Sequence, residues 1–110
     1  MQGVLTTRPM TADDASAGPV VPVRDGRAGA LLLVTNRTSR AIWSFSVLGH
    51  RSGSWGDDIL EGAIRPGDTV AWEIVPGLYH LRAETADGTE AYQFGVRVRH
   101  GHVVRWEVRD

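Results

Sequence analysis

A chain of 110 residues with no cysteine supports one self-standing domain, built without disulfides and without a thiolate metal site. Twelve basic residues against thirteen acidic ones leave no excess charge to draw nucleic acid or anionic lipid, so neither is an expected partner. No apolar stretch approaches the ~20 residues that a membrane-spanning helix needs, and residues 1–22 lack the apolar centre of a signal peptide, so membrane insertion is not expected and no compartment is assigned.

Residues 1–29 hold Thr6, Thr7, Pro9, Thr11, Ser16, Gly18, Pro19, Pro22 and Gly26 among few large apolar groups. Such a composition buries too little surface to offset its ordering entropy, and it reads as a flexible N-terminal arm or linker. Within it Val20, Val21 and Val23 have the character of a short edge strand. The domain proper is expected over residues 30–110. It opens with a continuous apolar run (ALLLVTN, 30–36) suited to a strand covered on both faces. Asn36-Arg37-Thr38-Ser39 turns the chain; by formula it is also a glycosylation sequon, and it is read here as a turn. Residues 41–48 alternate, with Trp43, Phe45 and Val47 on one face and Ser44 and Ser46 on the other. A glycine- and serine-rich loop follows over 49–56, and alternation resumes at 69–75 with Val70, Trp72 and Ile74 pointing inward.

The last three strands take their register from turns. Asp87-Gly88 signals a two-residue type I′ hairpin, which places Ala83 opposite Tyr92, Leu81 opposite Phe94 and Tyr79 opposite Val96. A three-residue loop, Arg99-His100-Gly101, with glycine in the left-handed conformation, then sets Val96 against Val104, Phe94 against Trp106 and Tyr92 against Val108. At Pro76-Gly77 the chain is expected to cross to a second sheet. The expected fold is all-β, a two-layer antiparallel β-sandwich of six to seven short strands following the arm. Its inward residues are Leu31, Leu33, Trp43, Phe45, Val47, Val70, Trp72, Ile74, Tyr79, Leu81, Phe94, Val96, Val104 and Trp106.

A string of motifs carries a resemblance. Asn36 and Ile42 are followed by Trp55, Gly56, Asp58 and Leu60, then by Pro66 and Gly67. Gly77, Tyr79, Leu81, Arg82, Asp87, Gly88, Gly95 and Val96 complete the set. The pattern resembles a small β-sandwich accessory module of bacterial, mostly exported, proteins, over about residues 31–108. His80 departs from it, standing where the module carries aspartate. The resemblance implies a non-catalytic interaction module.

Chemistry-bearing residues point to three places. An indole in a glycine-rich loop stacks on sugars or clamps a partner, and neighbouring carboxylates accept hydrogen bonds, so Trp55, Asp57 and Asp58 form a candidate recognition loop. The bland alternative folds Trp55 over the end of the sandwich as a lid, with Asp58 capping backbone amides. Next, the register places His80 opposite Gly95 and Gly95 opposite Arg105, leaving a dent for a small anion with Arg82 and Arg97 nearby; the alternative is a solvated ion-paired face. Finally, His100 and His102 lie two apart, but His80 has the opposite sense and His50 is in a distant loop, so no metal and no cofactor is expected. Cysteine is missing and the serines lie on strands or in one loop, so no nucleophilic constellation assembles and no enzyme is expected. The leading expectation is a protein partner or a homo-oligomer, engaged through sheet edges and the Trp55 loop. Small-molecule or carbohydrate binding at the Trp55–Asp58 loop is the alternative.

Overall fold

The structure, a computed structural model, describes residues 2–10, 20–21, 29–49, 60 and 62–110. Its strands are β1 (Gln2–Pro9), β2 (Val20–Val21), β3 (Ala30–Arg37), β4 (Ile42–Gly49), β5 (Thr69–Ile74), β6 (Gly77–Thr85), β7 (Glu90–Val98) and β8 (His102–Arg109). They form a five-stranded sheet, β1-β8-β3-β5-β2, and a three-stranded sheet, β4-β6-β7, with no helix among the described residues. The fold is the all-β sandwich that alternating hydrophobicity predicts.

β3 is the central strand of the larger sheet. It runs antiparallel to β5 and parallel to β8, so the sheet is mixed and not purely antiparallel as expected. A continuous apolar run suits such a place, because both of its faces are covered. Leu32 and Val34 enter the inter-sheet core, while Leu31 and Leu33 join Ala71 and Val103 in a second buried cluster on the outer face, against which Met10 packs. The expectation had turned Leu31 and Leu33 inward. The run is apolar at every position from Ala30 to Val34 and therefore carries no phase to read there.

Between the sheets Phe45 stacks on Trp72 with ring centroids 4.9 Å apart, and Trp106 tilts against Phe45 at 6.1 Å. Ile42, Ile64, Leu81, Val96, Val98, Val104 and Val108 close the core around these rings. Val47, Val70, Ile74 and Tyr79 pack partly buried at its margin. The crossing from β3 to β4 is pinned by Asn36, which is wholly buried. Its side-chain amide donates to the carbonyls of Arg40 and Ile64 at 2.7 and 2.8 Å. Its side-chain oxygen accepts from the backbone and hydroxyl of Thr38 at 2.9 and 2.7 Å. Asn36 thus binds its own turn to the segment that leads into the Pro66-Gly67 turn, where Gly67 has φ +89°.

Three expectations change here. Gln2–Pro9 of the expected arm is strand β1, antiparallel to β8 along its whole length. Gly3 is required there, since a Cβ would lie 2.0 Å from Trp106 Nε1. Val20–Val21 does form an edge strand, parallel to β5. Apart from Met10 and Gly29, the rest of the expected arm, Val23 included, lies outside the described residues. Second, β7 and β8 do not form a hairpin; they belong to different sheets, and the pairings of Val96, Phe94 and Tyr92 with Val104, Trp106 and Val108 do not exist. The Arg99–Gly101 loop does place Gly101 at φ +73°, but it hands the chain across the sandwich. Its backbone is held by Met10 and Gly29, through Met10 N–H to Gly101 O at 2.7 Å and Gly101 N–H to Gly29 O at 2.6 Å. The expected crossing after β5 is present, since β5 and β6 lie in different sheets. Third, Trp43 and Phe94 are not in the core.

Candidate interaction face

The outer face of the three-stranded sheet is set by the β6–β7 hairpin. Asp87 does not adopt positive φ, so the type I′ turn does not form. Instead Gly88 N–H bonds to Thr85 O at 2.9 Å with Gly88 at φ +86°, and Thr85 N–H bonds to Thr89 O at 2.9 Å, which makes a three-residue loop. Asp87 fastens that loop. It accepts from the Thr85 hydroxyl and the Thr89 amide and pairs with Arg40 at 3.2 Å, and these bonds hold its carboxyl down to about 2.

One extra loop residue shifts the ladder by one. Ala83 now pairs with Ala91 and Leu81 with Gln93, so Tyr92 and Phe94 turn outward. A β-bulge between Tyr79 and Leu81 then absorbs the slip: Phe94 and Gly95 together oppose His80, and Tyr79 regains Val96 as its partner. Gly95 holds φ +66°, and its N–H donates to His80 Nδ1 at 2.9 Å. The expected Tyr79–Val96 pair therefore holds, while the two between it and the turn do not. A second bulge, between Ile42 and Ser44, inserts Trp43 and turns it out of the core that Ile42 and Phe45 enter.

The result is an aromatic surface. Phe94 is 63% exposed, Trp43 54% and Tyr92 42%. The rings of Tyr92 and Phe94 stack at 5.6 Å, and His80 meets Phe94 edge-on at 5.4 Å. Charge beside them is neutralised locally: Arg82 pairs with Glu90 at 2.7 Å and with Glu84 at 3.7 Å, and the Tyr92 hydroxyl donates to Glu90 at 2.5 Å. The Tyr92 hydrogen bond, reinforced by Arg82, holds the Glu90 carboxyl below its ordinary range, and its reciprocal raises the Tyr92 phenol.

The expected anion dent is not assembled. His80 does oppose Gly95, and Arg82 lies on the same sheet, but Arg105 sits on β8 between Leu33 and Thr6 in the other sheet. β8 buries Val104, Trp106 and Val108 between the sheets, so Arg105 belongs to the opposite outer face. Trp55, Asp57 and Asp58 lie outside the described residues. Among the described residues no group of His, Asp and Glu gathers in a way that could hold a metal ion. No helix there is long and apolar enough to cross a membrane. Simple alternation hides this face, because without the two bulges Phe94 and Trp43 both point inward. One signal was available: Gly95 interrupts an apolar strand, which marks a bulge as readily as a dent. Comparison with family models, curated proteins and solved structures finds no match to this chain.

Proposed function

We propose that this chain is a non-catalytic interaction module that associates with protein, in the first instance a second copy of itself, through the outer face and open β7 edge of the three-stranded sheet. The observation that carries the reading is the exposure of Trp43, Tyr92 and Phe94 on one sheet. Large exposed aromatics on a monomer mark contact surfaces and supply most of an interface's energy when buried. Half-covered as they are, the three offer roughly 300 Å² to a partner, more than a third of the about 800 Å² that each side of a specific interface contributes. β4 and β7 are the outer strands of this sheet, and β7 is paired on one side only among the described residues, so its amides and carbonyls are open to strand addition. A formal charge of −1 opposes the approach of a second copy only weakly. The titratable groups of the face bond one another, which suits a contact surface better than a reaction centre. The resemblance to bacterial accessory modules points the same way.

Light scattering on chromatographed protein over a concentration series tests the reading. The expected outcome is a mass that rises toward twice the chain mass with concentration, and a Phe94→Ser variant that stays at the single-chain mass with unchanged far-ultraviolet dichroism. A wild-type chain that remains single at the highest concentration removes self-association.

A further inference from the structure

Between β1 and β7, edge strands of the two sheets, lies a groove. It has a volume of about 400 Å³ and is lined by Leu5, Thr7, Arg8, Pro9, Arg97, Arg99 and His102. That size lies at the lower end of ordinary small-ligand sites. No carboxylate lines it, although acidic residues outnumber basic ones in the chain as a whole. Arg97 and Arg99, two residues apart at the end of β7, make no ion pair among the described residues, unlike Arg40, Arg82 and Arg109. His102 donates from Nδ1 to the carbonyl of His100 at 3.0 Å, which fixes its tautomer and leaves Nε2 unengaged by that bond. Leu5, half-buried and packed against the core, supplies an apolar floor. The register sets Pro9 opposite His102, which closes one end of the groove.

We infer that this groove binds a small organic oxyanion, a carboxylate or phosphate monoester carried on an apolar body. The guanidinium groups of Arg97 and Arg99 take the oxyanion, since arginine presents a planar fork of donors matched to two oxygens. Thr7 adds a hydroxyl at the rim, and the apolar body lies on Leu5 and Pro9. Two uncompensated cations beside an apolar floor favour an amphiphilic anion over both a bare inorganic ion and a neutral aromatic.

Amide-resolved NMR titration of the full chain with phenyl phosphate, benzoate and phenol tests this. Phenyl phosphate or benzoate, whichever headgroup is preferred, is expected to shift the amides of Leu5, Thr7, Arg97, Arg99 and His102 together. Phenol at equal concentration leaves those amides in place. A double variant, Arg97→Gln with Arg99→Gln, is expected to bind at least about tenfold more weakly, because hydrogen bonds to charged groups are lost. Both side chains are exposed, so the variant keeps the wild-type melting temperature. Phe94→Ser binds the anion as the wild type does, which separates this site from the aromatic face. The inference is overturned if both anions shift amides scattered over the surface, if phenol binds as well as they do, or if the double variant keeps full affinity.

Discussion

At Asn36 a single side chain does the work of a short stretch of secondary structure. All of its hydrogen-bonding capacity is used inside the protein, on Thr38, Arg40 and Ile64, while its backbone N–H and carbonyl bond Asp68 and Gly67. The sequence signals a turn here, and an Asn-x-Thr turn is what forms. That the same amide would also reach Ile64, 28 residues on, depends on tertiary packing that no local pattern encodes. Asn36→Ala leaves the Thr38 N–H without its partner, the Arg40 carbonyl with only the Thr38 hydroxyl and the Ile64 carbonyl with only the Ile42 N–H, in a buried place. At about 1 kcal/mol for each lost bond, the expected destabilisation is about 3–4 kcal/mol. Urea denaturation checks this through a lower midpoint at an unchanged slope; a change below about 1 kcal/mol would mean that water replaces the amide.

At the scale of elements, strands and their inward residues were far easier to read than their partners. Trp72, Phe45, Leu81, Val96, Val104 and Trp106 are buried as alternation predicts. Alternation fixes which face of a strand is wet, and not which strand lies beside it. A tight turn with glycine at φ +73° joins β7 to β8 just as a hairpin loop would, yet the chain changes sheets there. The larger error came from one residue in the Ala86-Asp87-Gly88 loop. Asp-Gly suits a two-residue turn with both residues left-handed and equally a three-residue turn with glycine alone left-handed, and the choice inverts Tyr92 and Phe94. Gly95 reverses that choice before Val96. Gly95→Ala tests this account: the built Cβ meets nothing within 4 Å, so the cost comes from φ +66° alone. The expected loss is about 1–2 kcal/mol by thermal or urea unfolding, with the amides of His80 and Phe94 moving most. No loss of stability would show that the bulge relaxes without needing the left-handed backbone.

For the molecule as a whole, the least legible feature is that the polar, proline-bearing start of the chain belongs to the fold. Composition marks residues 1–29 as an arm because large side chains are few, but a strand at a sheet edge needs few: its ladder is made by backbone and its contacts by one face. β1 bonds β8 from Gln2 to Pro9, brings Leu5 onto the core, passes Gly3 over the edge of Trp106, and ends with Met10 against Leu31, Leu33, Ala71 and Val103. Without it β8 becomes an edge strand that carries Trp106, and the second cluster loses a cover. Removing residues 1–10 is therefore expected to cost about 3 kcal/mol or more from lost apolar burial alone, a fall of roughly 10–20 °C in melting temperature for a domain near this size. The newly bared β8 edge should also make the shortened chain aggregate on heating. A peptide of residues 1–10 added in excess should restore both properties by reoccupying that edge, as monitored by differential scanning calorimetry and Trp106 fluorescence. Equal melting temperatures for full and shortened chains would show that β1 rests on the sheet without stabilising it.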